Sequence, residues 1–387
     1  MASLDHQRRV RANRDYEDWL CHWNEHLLLG HVSVNVPKTP APAPEPPTPE
    51  RPAKSVRHGM VRVFDSAALA EADAALTGMR DQDAKRLRPA LTRAARNEGW
   101  RSVPWAVDPA AAIAQGSGID LNPFAGLGSD FGNFREVIEH LSLQWTCASH
   151  ALDAGEARLE PILLLGPPGI GKTRLAHELA RRMGTRMAVY SAGSAQAAFQ
   201  LCGSDAGWSN AKPGIVFELL AQGDSAVPVL VVDEVDKIGM WTRENPVNAL
   251  LDLTEAETAQ RFKDWCLQVT LNASKILVIC TANEPAGLPS PLLSRLGVFH
   301  VQPPSVTQRK LIIENCFGRL VESHRCRDDL SLEEASAARA AETPDLDVRA
   351  LLSMTRAGFA AALAASSDRV ILSPPRRASG RRRIGFI

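Results

Sequence analysis

The chain has 387 residues, 45% of them hydrophobic, with 44 basic and 44 acidic side chains. Such a length and apolar content support more than one domain, and the balanced charge excludes a global pull toward nucleic acid or anionic membrane, leaving only local patches. No apolar run is long enough to span a bilayer, residues 1–20 lack a signal-type apolar segment, and the seven cysteines show no C-x-x-C spacing, so reduced thiols and a cytoplasmic location are the expectation and a membrane partner is not.

Residues 1–36 place Trp19, Trp23 and His26 at helical spacing, which predicts a short amphipathic helix. Cys21, His22 and His26 lie close together there, but two or three ligands within one turn fall short of a closed zinc site and read as ordinary side chains. Residues 37–57 form a proline-rich linker, expected to be extended and disordered. Residues 58–118, rich in Ala, Arg and Leu, read as a few helices of unknown role. Over residues 119–303, β-rich runs (161–166, 186–190, 227–233, 275–282 and 297–301) alternate with helical runs (172–183, 213–222 and 246–259). Alternation of this kind predicts an α/β fold, a parallel sheet flanked by helices. From residue 304 the strands stop, and helical patterns up to residue 367 predict a C-terminal helical lid. Residues 368–387 are a basic, flexible tail.

Gly166-Pro167-Pro168-Gly169-Ile170-Gly171-Lys172-Thr173 matches G-x-x-x-x-G-K-[ST] in full, between a strand run and a helix run. Glycines let the backbone wrap a phosphate, and the following helix directs its positive end at the same anion. In this P-loop pattern Lys172 faces the β- and γ-phosphates of ATP, and Thr173 ligates Mg²⁺. The run ending in Asp233-Glu234 delivers two carboxylates to the sheet's carboxyl edge: Asp233 to hold Mg²⁺, directly or through water, and Glu234 to orient the attacking water. Asn283 closes the next strand run. It either holds that water from the opposite side or is an ordinary turn residue.

DEVDK at 233–237, TAN at 281–283 and LPSPLLSRLGV at 288–298 follow the P-loop in the order and spacing of AAA+ proteins, and WSNAKPG (208–214) and ENPVNALLDL (244–253) sharpen the match. The region 120–366 resembles the ATPase module of Lon proteases. That resemblance implies an arginine finger at Arg295 that reaches a neighbouring subunit's nucleotide, a sensor-2 arginine at Arg349, and pore-loop aromatics at Trp208 and Trp241. It also implies a homo-oligomeric ring, a hexamer. The expected activity is hydrolysis of ATP to ADP and phosphate, coupled to unfolding or remodelling of a polypeptide client. Only about twenty residues follow the lid, too few for a peptidase domain, so intrinsic peptide hydrolysis is not expected, and any peptidase would be a separate partner. Two alternatives stay open: an ATP-switched scaffold or assembly factor, and a nucleic-acid-processing factor whose local support is Arg376, Arg377 and Arg381 to Arg383. A solvated tail is the preferred reading of those arginines, and nucleic acid is not the expected partner.

Overall fold

The computed structural model describes residues 59–106, 122–151, 156–192, 197–208, 210–238, 246–324 and 330–373. The amphipathic helix with Cys21, His22 and His26, the proline-rich linker and residues 374–387 lie outside them. In chain order the described elements begin with β1 (Met60–Arg62), α1 (Ser66–Leu76), α2 (Asp81–Ala94), β2 (Trp100–Ser102) and α3 (Arg135–Ser149). The central part holds β3 (Ile162–Leu165), α4 (Lys172–Arg182), β4 (Met187–Ser191), α5 (Ala197–Cys202), α6 (Ile215–Gln222) and β5 (Val229–Asp233). It continues through α7 (Pro246–Thr254), α8 (Ala256–Ala259), β6 (Phe262–Lys263), β7 (Thr270–Leu271), β8 (Leu277–Ala282), α9 (Ser290–Leu293) and β9 (Gly297–His300). The C-terminal part is α10 (Val306–His324), β10 (Ser331–Leu332), α11 (Glu334–Glu342), α12 (Val348–Ala364) and β11 (Arg369–Val370).

Among the described residues, the main sheet has five parallel strands in the order β4-β5-β8-β3-β9. Every residue of β3 and β8 is buried, as expected for strands covered by helices on both faces. From β3 the chain crosses to β4 at one edge, whereas from β8 it crosses back to β9 at the other. The connections diverge beside β3 and β8, and a crevice opens there at the carboxyl ends of the strands. The helix α4 packs against β5 and β8 through Leu175, Ala176, Leu179 and Ala180, all buried. Its last turn carries Arg181 and Arg182, which complement the helix dipole.

Residues 59–106 contain two helices, as their composition suggested, but also the antiparallel pair β1–β2, with Val61 opposite Arg101. Three-residue strands are too short to show a period, which is why the sequence hid them. The segment shares the hydrophobic core of the sheet. Phe64 meets Phe217 of α6 edge-on with ring centroids 5.2 Å apart. Arg101 is 1% exposed and donates to Leu220 O (3.0 Å), Ala94 O and Arg93 O (both 3.2 Å), carbonyls in the last turns of α6 and α2. A helix leaves its final carbonyls without intrahelical donors, so one guanidinium satisfies two helix ends and joins them.

Two further expectations change. The run 246–259 is two helices, because Glu255 adopts extended backbone (φ −94, ψ 130). The lid does contain strands: β10 and β11 pair in parallel, Ser331 with Arg369 and Leu332 with Val370. Its helices enclose a second core around Ile313, Leu351 and Phe359.

Asp264, between β6 and β7, is fully buried and accepts hydrogen bonds from Gly214 N (2.7 Å) and Leu267 N (2.8 Å). Burial pushes its carboxyl up to about 6, against the opposing effect of those N–H donors. A folded-state value above the unfolded one means the native protein binds the proton more tightly. The contribution is therefore fully present below the ordinary carboxylate range and lost as pH rises through about 6. The Asp264→Asn variant, which cannot titrate, is expected to fall further behind wild type as pH drops from 6.5 to 4.5, the gap growing by about 2 kcal/mol. Denaturant melts across that range check this, and a constant gap would assign the pH dependence elsewhere.

Candidate nucleotide-binding site

The turn leaving β3 is stitched to the sheet: Gly166 N donates to Ala282 O at 3.2 Å. Gly169 has φ +79, and a Cβ there would lie 2.1 Å from Asp347 Oδ2. Gly171 has φ +105 and forms the N-terminal boundary of α4 without any side-chain cap. The first N–H groups of α4 thus remain without a capping side chain and suit an anion. Ile170 is buried (5% exposed) and anchors the loop, and Asn133 Nδ2 reaches Ile170 O at 3.5 Å. Pro168, Gly169, Gly171, Lys172 and Thr173 line the resulting cleft.

Lys172 folds its ammonium back onto the loop, donating to Gly166 O (2.5 Å), Pro167 O (3.1 Å) and Asn283 Oδ1 (3.2 Å). Burial pushes it below its ordinary value, while Asp233, Asp236 and Glu234 oppose that effect. A cation held partly out of water next to unpaired helix N–H groups is an electrostatic trap for phosphate oxygens.

Asp233 ends β5, and Glu234 follows it in the left-handed region at φ +57, ψ 47. A non-glycine residue pays for that conformation, and such residues concentrate at functional sites. Both conformations are fixed by Thr281, a residue not singled out from the sequence. Its hydroxyl donates to Asp233 Oδ1 (2.5 Å) and accepts from Glu234 N (3.1 Å). The signal lay within the TAN run: a hydroxyl on a strand otherwise wholly apolar, 1% exposed in the fold. The Glu234 carboxylate pairs with Lys237 at 2.7 Å. Asn283 lies just beyond β8, with its N–H on Asp236 Oδ2 at 3.1 Å.

From the lid, Arg349 in the first turn of α12 lines the same cleft. That helix is capped by Asp347, which accepts from Ala350 N (2.7 Å), and it touches the loop through Val348 N to Gly169 O (3.1 Å). Arg295 stands apart. It is not among the residues lining the cleft and instead pairs with Glu255 (3.3 Å) and donates to Pro291 O (2.8 Å). Trp208 is 53% exposed, rests edge-on against Phe199 at 4.9 Å, and belongs to a turn held by Gly207 N to Asp205 Oδ1 (2.8 Å) and Trp208 N to Asp205 O (3.1 Å). Trp241 lies outside the described residues. Among the described residues, no three His, Cys, Asp or Glu side chains come together as a metal centre. The neighbouring donors Thr173 and Asp233 suit a hard cation brought in with a phosphate ligand.

Residues 162–303 match the family described as "ATPase family associated with various cellular activities (AAA)". The chain is 30% identical over 203 residues to a Lon protease of Chloroflexus aggregans, covering 52% of this chain and 23% of that protein. It is 37% identical over 142 residues to Lon protease 2 of Sorangium cellulosum, covering 36% and 18%. With the mitochondrial Lon protease homolog of Mus musculus it shares 36% identity over 175 residues, covering 45% and 18%. The chain therefore spans about a fifth of the length of these curated relatives. Among solved structures, the Thermotoga maritima RuvB Holliday junction branch migration motor aligns with a TM-score of 0.39 and 21% identity, over 61% of this chain and 65% of that one.

Removing the Thr281 hydroxyl tests its place in the site. Thr281→Val keeps the shape but leaves Asp233 Oδ1 and Glu234 N without this partner. The expected loss is about 1–3 kcal/mol in unfolding free energy. A denaturant melt provides the check, and an unchanged melt would show that the hydroxyl does not hold the carboxylate.

Proposed function

Residues 162–303 being an AAA-family domain, we propose that the chain hydrolyses ATP to ADP and phosphate and uses the cycle to unfold or remodel a polypeptide client. The observation that carries the reading is convergence: the P-loop, Asp233, Glu234, Asn283 and Arg349 all face one cleft, though they come from two strand ends, a helix N-terminus and the lid. Lys172 and the α4 N-terminus take the β- and γ-phosphates, and Gly166 to Thr173 wrap them. Thr173 and Asp233 hold Mg²⁺. Glu234 turns from Lys237 to orient the water, with Asn283 on its other side. Arg349 reports the lid's position to the γ-phosphate. These roles are positioning and electrostatics, which is what phosphoryl transfer requires.

Arg295, which does not line its own cleft, supports assembly as a homo-oligomeric ring of six, where it would complete a neighbour's site. Exposed Trp208 supports the client reading, because an indole can grip an extended chain through apolar contact without reading its sequence. The proposal assigns no peptide-bond cleavage to this chain. A separate peptidase acting beside the ring is compatible with it, given the Lon relatives. Among the described residues no helix is long and apolar enough to cross a membrane, and the expected location remains the cytoplasm. One observation favours a second reading, an ATP-switched scaffold: Glu234 is engaged by Lys237 at 2.7 Å. A site kept in that state would bind nucleotide and turn it over slowly even when assembled.

Two variants separate binding from chemistry. Lys172→Ala is expected to weaken ATP binding at least tenfold, since a charge-assisted contact is worth roughly 1.5–3 kcal/mol. Glu234→Gln is expected to bind ATP normally and hydrolyse it at least 100-fold more slowly, the scale of about 10²–10⁴ for a positioned acid–base group. Nucleotide affinity and steady-state turnover of both variants decide the matter. Normal turnover in Glu234→Gln would remove that residue from the mechanism.

Trp208→Ala tests the motor reading. Because the indole is exposed, the variant is expected to melt like wild type and keep basal hydrolysis within about threefold, while losing client unfolding and client-stimulated hydrolysis. A buried tryptophan would instead cost about 3–5 kcal/mol. A melt and an unfolding assay on one preparation distinguish the cases, and intact client unfolding in the variant would withdraw the pore-loop role.

A further inference from the structure

The β6–β7 hairpin alternates strictly. Phe262, Asp264 and Cys266 are buried, whereas Arg261, Lys263 and Trp265 between them are exposed. A period of two puts the second set on one face, and the pairing of Lys263 with Thr270 brings the exposed Thr270 to that face as well. The face carries two cations, an indole and no carboxylate. Among the described residues neither Arg261 nor Lys263 joins an ion pair, and Glu255, at the start of α8, is already engaged by Arg295 at 3.3 Å.

Trp265 is 39% exposed, yet its backbone is held firmly. Its N–H donates to Cys202 O (2.6 Å), its carbonyl accepts from Gln268 Nε2 (2.7 Å), and the neighbouring Asp264 holds Leu267 N (2.8 Å). An indole presented to water on a fixed base is a ready anchor, because little ordering is left to be lost on binding. Cys202 ends α5, and Phe199, three residues earlier, carries Trp208 against its ring. Both exposed tryptophans are therefore seated on α5, about 4.5 Å apart in helix rise. An extended chain spaces side chains on one face by about 7 Å, a scale on which one segment can meet both.

The Trp208 loop adds a third exposed cation, Lys212. Two carboxylates lie on the α5 side and not on the hairpin: Asp205, whose Oδ1 is turned onto Gly207 N at 2.8 Å, and Asp252 of α7, which packs on α5. A nucleic acid held by its backbone takes about 6–10 phosphate contacts, more than this face offers. Acidic side chains of a polypeptide need only one cation each, and an apolar neighbour finds the indole.

We propose that the outward face of the hairpin, Arg261, Lys263 and Trp265, docks an extended acidic segment of the client polypeptide and delivers it to Trp208. Carboxylates of the segment meet the two cations, and an apolar side chain rests on the Trp265 indole. This rests on the client reading above and adds to it which clients are taken: those in which acidic and apolar residues alternate.

The test is equilibrium binding to the full chain without nucleotide, read by fluorescence anisotropy. The probe is a fluorescein-labelled peptide alternating Glu with Leu. Wild type is expected to bind it saturably, more weakly as salt rises, and to bind the same peptide with Lys for Glu about tenfold less well. Arg261→Gln/Lys263→Gln is expected to weaken binding about fivefold or more, and Trp265→Ala about tenfold. Arg261→Lys/Lys263→Arg, which keeps both charges, is expected to bind within about twofold of wild type, so a loss in the Gln variant is a loss of charge and not of fold. The proposal is overturned if wild type does not bind the acidic peptide, if the Gln variant and Trp265→Ala both bind it like wild type, or if labelled oligothymidylate binds in its place and loses affinity in the Gln variant. Peptide binding as expected from a wild type that unfolds no client with ATP would count against the motor reading alone, with the variants still deciding this one.

Discussion

An ammonium withdrawn from water at the carboxyl edge of a parallel sheet needs oxygen around it, and much of the site follows from that need. Lys172 obtains two carbonyls from its own loop and an amide oxygen from Asn283, one strand away. The loop can present those carbonyls because Gly169 and Gly171 accept positive φ. The amide is in reach because β8 lies beside β3. Strand order, loop composition and the residue after β8 are thus parts of one electrostatic solution, and a phosphate would replace the loop's own carbonyls as the lysine's partner.

The negative side of the site is organised by the same adjacency. β5 and β8 are neighbours, so a threonine near the end of one can reach the carboxylate at the end of the other. Thr281 satisfies Asp233 and Glu234 with one hydroxyl, holding the second in a backbone conformation it would otherwise avoid. The lid meets this assembly at Gly169, where absence of a side chain admits Asp347 and lets Val348 bond the loop. Loop conformation and the start of α12 are therefore mechanically linked, and Arg349 is the next residue along. On the far side Asp130 holds Arg319 and Asn315 of α10. The lid is tied to the sheet domain at two separated points, one polar and ionic, the other at the phosphate loop itself.

The sheet strands were legible in the sequence because four- to six-residue apolar runs between helical patterns have few other readings, and the P-loop because its glycines, lysine and threonine are fixed by phosphate geometry. Asp233, Glu234, Asn283 and Arg349 were expected at a common cleft, and all of them line it. What the sequence concealed is non-local. Arg101 looks like any arginine in a basic, helical stretch, and only the fold makes it a plug for two helix ends, one of its bonds reaching a carbonyl 119 residues along the chain. Thr281 was read as part of a strand, since its partners, 47 and 48 residues upstream, are set by sheet register. The two-residue strands of the lid, and the extended residue Glu255 that divides α7 from α8, leave no periodic trace.

Asp264 shows how a position far from the nucleotide can matter to the loop that carries Trp208. Its carboxylate holds Gly214, the residue that opens α6, and a Cβ at Gly203 would sit 3.0 Å from it. Those two glycines bracket the turn bearing Trp208, closed further by Ser204 N to Lys212 O at 3.1 Å. The indole is therefore exposed at the tip of a loop whose base is pinned by a buried charge. A loop so anchored is joined at its base to α6 and to the β6–β7 hairpin. Because α6 is also bound to residues 59–106 through Arg101 and Phe64, the base of the Trp208 loop is tied to the N-terminal segment as well as to the sheet, through contacts that no motif in that segment announces.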